Sequence, residues 1–364
     1  MKKILLLFLL FSVESHVYSQ VKILDTLSSA PIVGVNIYSD QGLLLGTSAI
    51  NGKIDSLKEI LATQVYIQHI AYENKELDFQ RLKKSDTIYL RPRTIQLEEI
   101  SVQNRNQYDY VVLKGYFRTH DLFNNKSRYF YDGIIEYYIP LNNKKKKVQH
   151  KLLSYRLFAN QQSVDAYKEL FGKTFTDSPK LFTVKNQPLT EYLPKNCLLI
   201  TNGNKKDIVQ HGLNLGFIQK TTAGNTQIYF DVVPPQSKIA RSFLKIKGEQ
   251  YRGLTLETYT GTNLDMPLVE NLVHQTSVNV GSVQRKKNNG FLPMERLEEF
   301  YVMERTYMKE ADVEAMHKEF TKSIYLEEKS NYNEKFWLAL DRYNIPPLAK
   351  GISKQLYLDL KEKL

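Results

Sequence analysis

Residues 31–54, PIVGVNIYSDQGLLLGTSAINGKI, set short apolar runs between two reversal signals, Asp40-Gln41-Gly42 and Asn51-Gly52. Val35 and Ile37 alternate with Asn36 and Tyr38, the period of a strand with one buried face. Gly42 can supply the positive φ that closes the first reversal, and Asn51-Gly52 suits a two-residue type I′ hairpin. A period of two broken this often leaves no room for a helix and obliges every run to find a sheet partner. The pattern repeats over residues 21–25, 34–39, 43–48, 65–70, 75–79 and 87–90, all short and rich in β-branched or aromatic residues. Residues 20 to about 95 therefore predict a small antiparallel β-sandwich that hides its apolar strand faces between two sheets.

Four ordered pieces, DTLSSAPIVGVNIY, LGTSAINGKID, VYIQHIAYENKEL and DTIYLRPRTIQLEEISV, resemble the carboxypeptidase regulatory-like domain, a transthyretin-like sandwich common in Bacteroidetes envelope proteins. The resemblance covers residues 21 to about 102. Ala71 stands where that family often has a glycine before the tyrosine, here Tyr72, and Gln68 replaces a common serine. The resemblance implies a non-catalytic accessory module of the kind often found at the N-terminus of outer-membrane receptors.

Ahead of this region, Lys2 and Lys3 precede an apolar run over residues 4–13, and a polar stretch ends in Val17-Tyr18-Ser19. This reads as a secretory signal peptide over residues 1–19, with Gln20 first after cleavage and no nearby cysteine to carry a lipid. The run falls short of the about 20 apolar residues that a bilayer span requires. The expected location is therefore exported, in the periplasm or associated with the outer membrane, with no transmembrane span.

The formal charge of +11 falls to about +10 without the leader. Lys144 to Lys147 and Arg285-Lys286-Lys287 lie at expected hairpin tips, where solvated turns are the ordinary outcome. Clustered cations of this kind also suit anionic lipid head groups or polysaccharide. Export and the lack of a recognition motif disfavour nucleic acid. Cys197 is the one cysteine, which excludes an internal disulfide, and its apolar context NCLLI reads as a packed, inert thiol. With 42% hydrophobic residues, including 24 Tyr and 17 Phe, the chain can build real cores.

A zinc carboxypeptidase site needs His-x-x-Glu and a distant histidine, because two imidazoles and a carboxylate leave the fourth metal position open for water. None of His69, His120, His150, His211, His274 or His317 has a glutamate three residues on. His-Glu-x-x-His, Gly-x-Ser-x-Gly and Walker patterns are also missing. Ser242-Phe-Leu-Lys245 matches Ser-x-x-Lys without its companion motifs. The expectation is thus a chain that is not an enzyme, with no catalytic, cofactor-binding or metal-ligating residues and no cofactor.

Residues 101–108 read as a linker. Strand-like runs resume over residues 127–139, 151–158, 227–233, 242–247, 254–260 and 277–283, with a short helix around residues 163–175. From Lys309 the period moves toward 3.6, predicting helices from Asp312 through Ile324, over EKFWLALDRYN, and over residues 353–364. The whole reads as a multidomain protein: an N-terminal all-β transthyretin-like sandwich (20–100), then an α+β domain (109–364) with a curved antiparallel sheet to about residue 308 and C-terminal helices over 309–364. The charged connector carries few apolar residues, so the second domain is expected to fold alone. The expected function is an exported non-enzymatic envelope protein, a binding or interaction module for an envelope protein, lipid or glycan. A periplasmic carrier of a hydrophobic ligand in a half-barrel and an unrecognised hydrolase are the alternatives.

Overall fold

The computed structural model describes residues 21–348 apart from 33, 41–43, 50, 55–62, 70–71, 85–86, 94–106, 144, 173–177, 222–223, 235–236, 244, 262, 266 and 286–289, together with 353, 356 and 358–364. The signal peptide, Gly42, Ala71, most of the linker, Lys144, Lys286 and Lys287 lie outside these residues.

Among the described residues the chain is mostly β, its sheets are largely antiparallel, and none closes into a barrel. Its first part holds β1 (Val21–Asp25), β2 (Asn36–Ser39), β3 (Leu44–Thr47), β4 (Lys53–Ile54), β5 (Gln64–Gln68), β6 (Lys75–Asp78), helix α1 (Phe79–Lys84) and β7 (Thr87–Leu90). These form two small sheets, ordered β4-β1-β7 and β3-β2-β5-β6. Val21, Ile23, Ile88 and Leu90 of one and Ile37, Val65 and Ile67 of the other share a single apolar cluster.

Two local expectations are corrected here. β1 and β7 pair in parallel, because both run the same way under the second sheet. Asn51-Gly52 does not join a hairpin, since β3 pairs with β2 while β4 pairs with β1. Gly52 alone takes a positive φ, +75°, and a Cβ there would sit 2.5 Å from the Ile23 carbonyl oxygen. It is a crossing turn between sheets. The left-handed pairs that type I′ hairpins need occur instead at Asn124-Asn125 and His211-Gly212.

The rest of the chain forms a 12-stranded sheet. Its strands are β8 (Tyr110–Phe123), β9 (Lys126–Pro140), β10 (Gln149–Ala159), β11 (Leu198–Asn202), β12 (Lys205–Gln210), β13 (Leu213–Lys220), β14 (Asn225–Asp231), β15 (Ile239–Phe243), β16 (Ile246–Thr260), β17 (Leu272–Gln284), β18 (Leu292–Met308) and β19 (Lys361–Glu362). The order is β11-β12-β13-β14-β16-β17-β18-β8-β9-β10-β19, with β15 also on β16. Most neighbours are consecutive, but β18 seats beside β8, and β19 covers the β10 edge.

Alternation gives the sheet two faces with different covers. On the first, Tyr229, Leu254, Leu256 and Val278 belong to the same apolar cluster as the two small sheets. Tyr38 of β2 donates to Glu295 of β18 at 2.6 Å. The first and second parts therefore share an apolar cluster, a contact that bears on whether the second part folds alone. The polar connector carries no trace of this contact because the apolar residues that make it lie on distant strands.

Farther along this face, Tyr116, Ile134, Val273 and Tyr301 pack against Ile345, and Tyr110, Val112 and Tyr138 against Val313. Here Glu299 accepts from Arg118 Nε at 2.5 Å and from Tyr301 at 2.6 Å, while Arg118 Nη1 reaches the Pro346 carbonyl at 2.7 Å. Burial works to raise Glu299, yet the charge and hydrogen bond of Arg118 and the charge of Arg93 outweigh it and hold the carboxyl at about 2.

Two of the three C-terminal helices are corrected. α3 spans Glu310–Ala315, and single 3-10 turns occupy Phe336–Leu338 and Leu340–Tyr343, whereas Ser353, Leu356 and Leu358 are helical as expected. The predicted apolar positions Val313, Met316 and Phe320 do meet the sheet, but the backbone is drawn to other partners. Thr321 N–H goes to His150 O, Leu326 N–H to Pro179 O and Lys363 N–H to Leu157 O. Tertiary hydrogen bonding thus overrides helical periodicity, and residues 361–362 become β19.

On the opposite face, Val111, Leu113, Phe117, Ile135, Ile228 and Phe300 pack beneath Leu181, Phe182, Val184 and Leu189. Tyr131 and Tyr137 donate to the carbonyls of Lys180 and Phe182 at 2.7 and 2.5 Å, pinning that segment across the sheet. Helix α2 (Gln161–Phe171) starts at an Asn160 cap, whose side chain accepts from Ser163 N–H. It packs Tyr167 and Phe171 on Phe123, Ile246 and Val283.

Candidate functional site

Between α2 and the 178–189 segment, the described residues leave part of the second face open as a groove of about 750 Å³, within the range of small-molecule sites. Three adjacent strands build its floor. Thr255, Ser277 and Glu298 stand in one cross-strand row, Glu257 and Gln275 in the next, and Asn279 and Arg296 in a third. The polar floor follows from alternation: Leu254 and Leu256, Val278, and Leu297 point the other way, into the core shared with the small sheets.

Most floor charges are committed. Glu257 accepts from Leu189 N–H at 2.7 Å and from the Tyr259 hydroxyl. Burial pushes it up to about 6, against those hydrogen bonds and the charge of Lys185. Arg296 meets Glu298 at 3.2 Å, the Lys180 carbonyl at 2.8 Å and the Tyr131 hydroxyl. Burial also raises Glu298, with Arg296 opposing. Asn279 Oδ1 accepts from Gln250 at 3.2 Å. Gln275 differs: it is 6% exposed, it lines the groove, no hydrogen bond to another described residue holds its carboxamide, and its polar atoms are not among the buried ones left without a partner, so they reach the groove's solvent. Such a carboxamide is free to exchange water for a ligand's donors and acceptors.

The sequence-marked residues lie elsewhere. His69 is buried against Tyr72 and Tyr229, with ring centroids 5.1 and 5.4 Å away. His120 contacts Ser127 at 2.8 Å, and His274 contacts Thr276 at 2.7 Å. Burial lowers these last two imidazoles to about 4 and about 3. His150 is half-buried, while His211 and His317 are exposed. Among the described residues no group of three or more His, Cys, Asp or Glu is placed to hold a metal. Ser242 and Lys245 are both exposed at the β15–β16 hairpin, with no hydrogen bond joining them. Cys197 is partly buried, and desolvation raises its thiol.

Of the basic clusters, the described Lys145 to Lys147 lie between β9 and β10, and Arg285 follows β17. Lys146 pairs with Glu310, and Arg285 donates to the Leu170 carbonyl at 2.6 Å. Among the described residues no helix is long and apolar enough to cross a membrane. The groove residues themselves went unmarked. Their signal was the alternation in GLTLETYT and HQTSVNV, which shows two unlike faces without showing which one stays open.

In comparison with known proteins, no protein-family model and no curated protein matches the chain.

Proposed function

We propose that the protein is an exported, non-enzymatic envelope protein that binds its ligand in the groove over β16, β17 and β18. The first two sheets serve it as an accessory module of the carboxypeptidase regulatory-like kind. Gln275 carries the reading: a largely enclosed side chain whose carboxamide is bonded to no other described residue and opens onto a recess of ligand size offers a bound molecule a donor and an acceptor. Binding is favoured over hydrolysis because the floor carboxylates are tied to protein donors, and the Ser277 hydroxyl is approached by the Asn279 amide at 3.4 Å instead of by a base. A carrier of hydrophobic ligands would need the apolar half of this face, which Leu181, Phe182 and Leu189 already fill.

Ser277→Trp tests the site, because the larger side chain occupies the groove from a partly exposed floor position. The expected outcome is a variant that keeps the wild-type melting curve and loses the thermal shifts that soluble saccharides, peptides or fatty acids give the wild type. Equal shifts in both proteins would place binding elsewhere and sink the proposal.

A further inference from the structure

Resting on the binding reading above, we infer that the groove takes a neutral polyhydroxylated ligand, a short saccharide, with Gln275 as the residue that reads its hydroxyls. The floor offers alternating donors and acceptors in rows set by the strand register: Thr255 beside Ser277, and Glu257 beside Gln275. A sugar hydroxyl both donates and accepts, and a carboxamide does the same through separate atoms. One glutamine therefore engages two neighbouring hydroxyls, and the Thr255 and Ser277 hydroxyls turn to suit them.

Charge argues for neutrality. Glu257 is spent on Leu189 N–H and Tyr259, and Arg296 on Glu298, Tyr131 and a backbone carbonyl. Lys180, Lys185 and Arg241 also line the groove, but all three are exposed and keep their hydration, whereas on the floor a charged ligand would lose its own hydration without meeting an uncommitted counter-charge. Peptides and lipids fit less well, since these floor rows are polar and the apolar side chains beside them, among them Leu181, Phe182 and Leu189, are already packed in the main core. At the wall, Tyr325 is 44% exposed and lines the same groove. Its amphipathic ring supplies an apolar face for the C–H side of a sugar ring while its hydroxyl stays wet.

Nuclear magnetic resonance titration of the full chain tests this with stated probes: maltotriose, cellotriose, mannotriose and chitotriose as neutral saccharides, trigalacturonate as an anionic one, and trialanine as a peptide. The expected result is that at least one neutral trisaccharide moves the amide and side-chain resonances of Gln275 and Ser277, with trigalacturonate and trialanine silent. Gln275→Leu, close in volume, should weaken that binding at least tenfold, and Tyr325→Ala severalfold. Should Gln275→Leu fail to fold, Thr255→Val removes a hydroxyl at constant size and should weaken the same titration. If trialanine or trigalacturonate moves the groove resonances and no neutral saccharide does, the ligand class is wrong while the binding site stands. If no probe moves them, or the saccharides move only resonances outside the groove, the saccharide assignment is overturned, and the Ser277→Trp screen then decides the site itself.

Discussion

Glu257 sets two demands against each other: its carboxylate holds the Leu189 N–H, yet burial raises its pKa to about 6 from an ordinary 4.5. The folded chain binds that proton more tightly than the unfolded chain. The stability it contributes is therefore fully present below about pH 4.5 and is lost as pH rises through about 6, a change of roughly 2 kcal/mol at most. Glu257→Gln keeps a carbonyl acceptor for Leu189 and carries no charge. The variant should exceed the wild type by about 1–2 kcal/mol at pH 7.5 and match it near pH 4.5 in urea denaturation. A gap of the same size at both pH values would show that the Glu257 charge is not its source. Gln275 has no such signature, and its importance was illegible in the sequence for a physical reason. A lone glutamine between His274 and Thr276 becomes unusual only when β16 and β18 close on either side and leave its amide bonded to no other described residue.

At the scale of elements, regular alternation was legible and irregular alternation was not. Residues 254–260 read as a strand because Leu254 and Leu256 flank Thr255, and they fall within β16. β18 escaped notice because MERLEEF crowds charges together, and only tertiary pairing spreads them, with Arg296 and Glu298 on the groove side and Glu299 on Arg118. The 178–189 segment has no repeating pattern at all, yet it decides which part of the sheet is open. Its anchor is Phe182, 4% exposed and packed in the main core. Phe182→Ala should cost about 3–5 kcal/mol. Hydrogen exchange should also quicken at Leu181 and Leu189, whose N–H groups bond Ile324 O and Glu257, while the β8–β9 ladder keeps its protection. Equal loosening of that ladder would mean the segment is integral to the sheet and not a cover laid on it.

Across the whole molecule, the two small sheets and the large one melt together if their joint cluster holds them. Tyr229, Leu254, Leu256 and Val278 are each at most 5% exposed, and removing the first part would bare them. Gly34 adds a close fit: it stands at φ +85°, where a Cβ would lie 2.5 Å from the Arg252 guanidinium. Calorimetry of residues 20–364 should thus show one transition, and residues 108–364 alone should melt lower and bind a hydrophobic dye. Two separate transitions, the second unchanged in the shorter chain, would mean that the contact contributes little. The seat of β18 beside β8 has a kinetic meaning as well. It places Tyr110 opposite Met308, whereas the other large-sheet partners, β19 aside, are near neighbours in sequence. Closing so long a loop is entropically slow. A chain that folds as it emerges from its N-terminal end would form β8–β10 early, then carry a bare β8 edge until β18 arrived. That interval is when a holding chaperone would matter most to its yield.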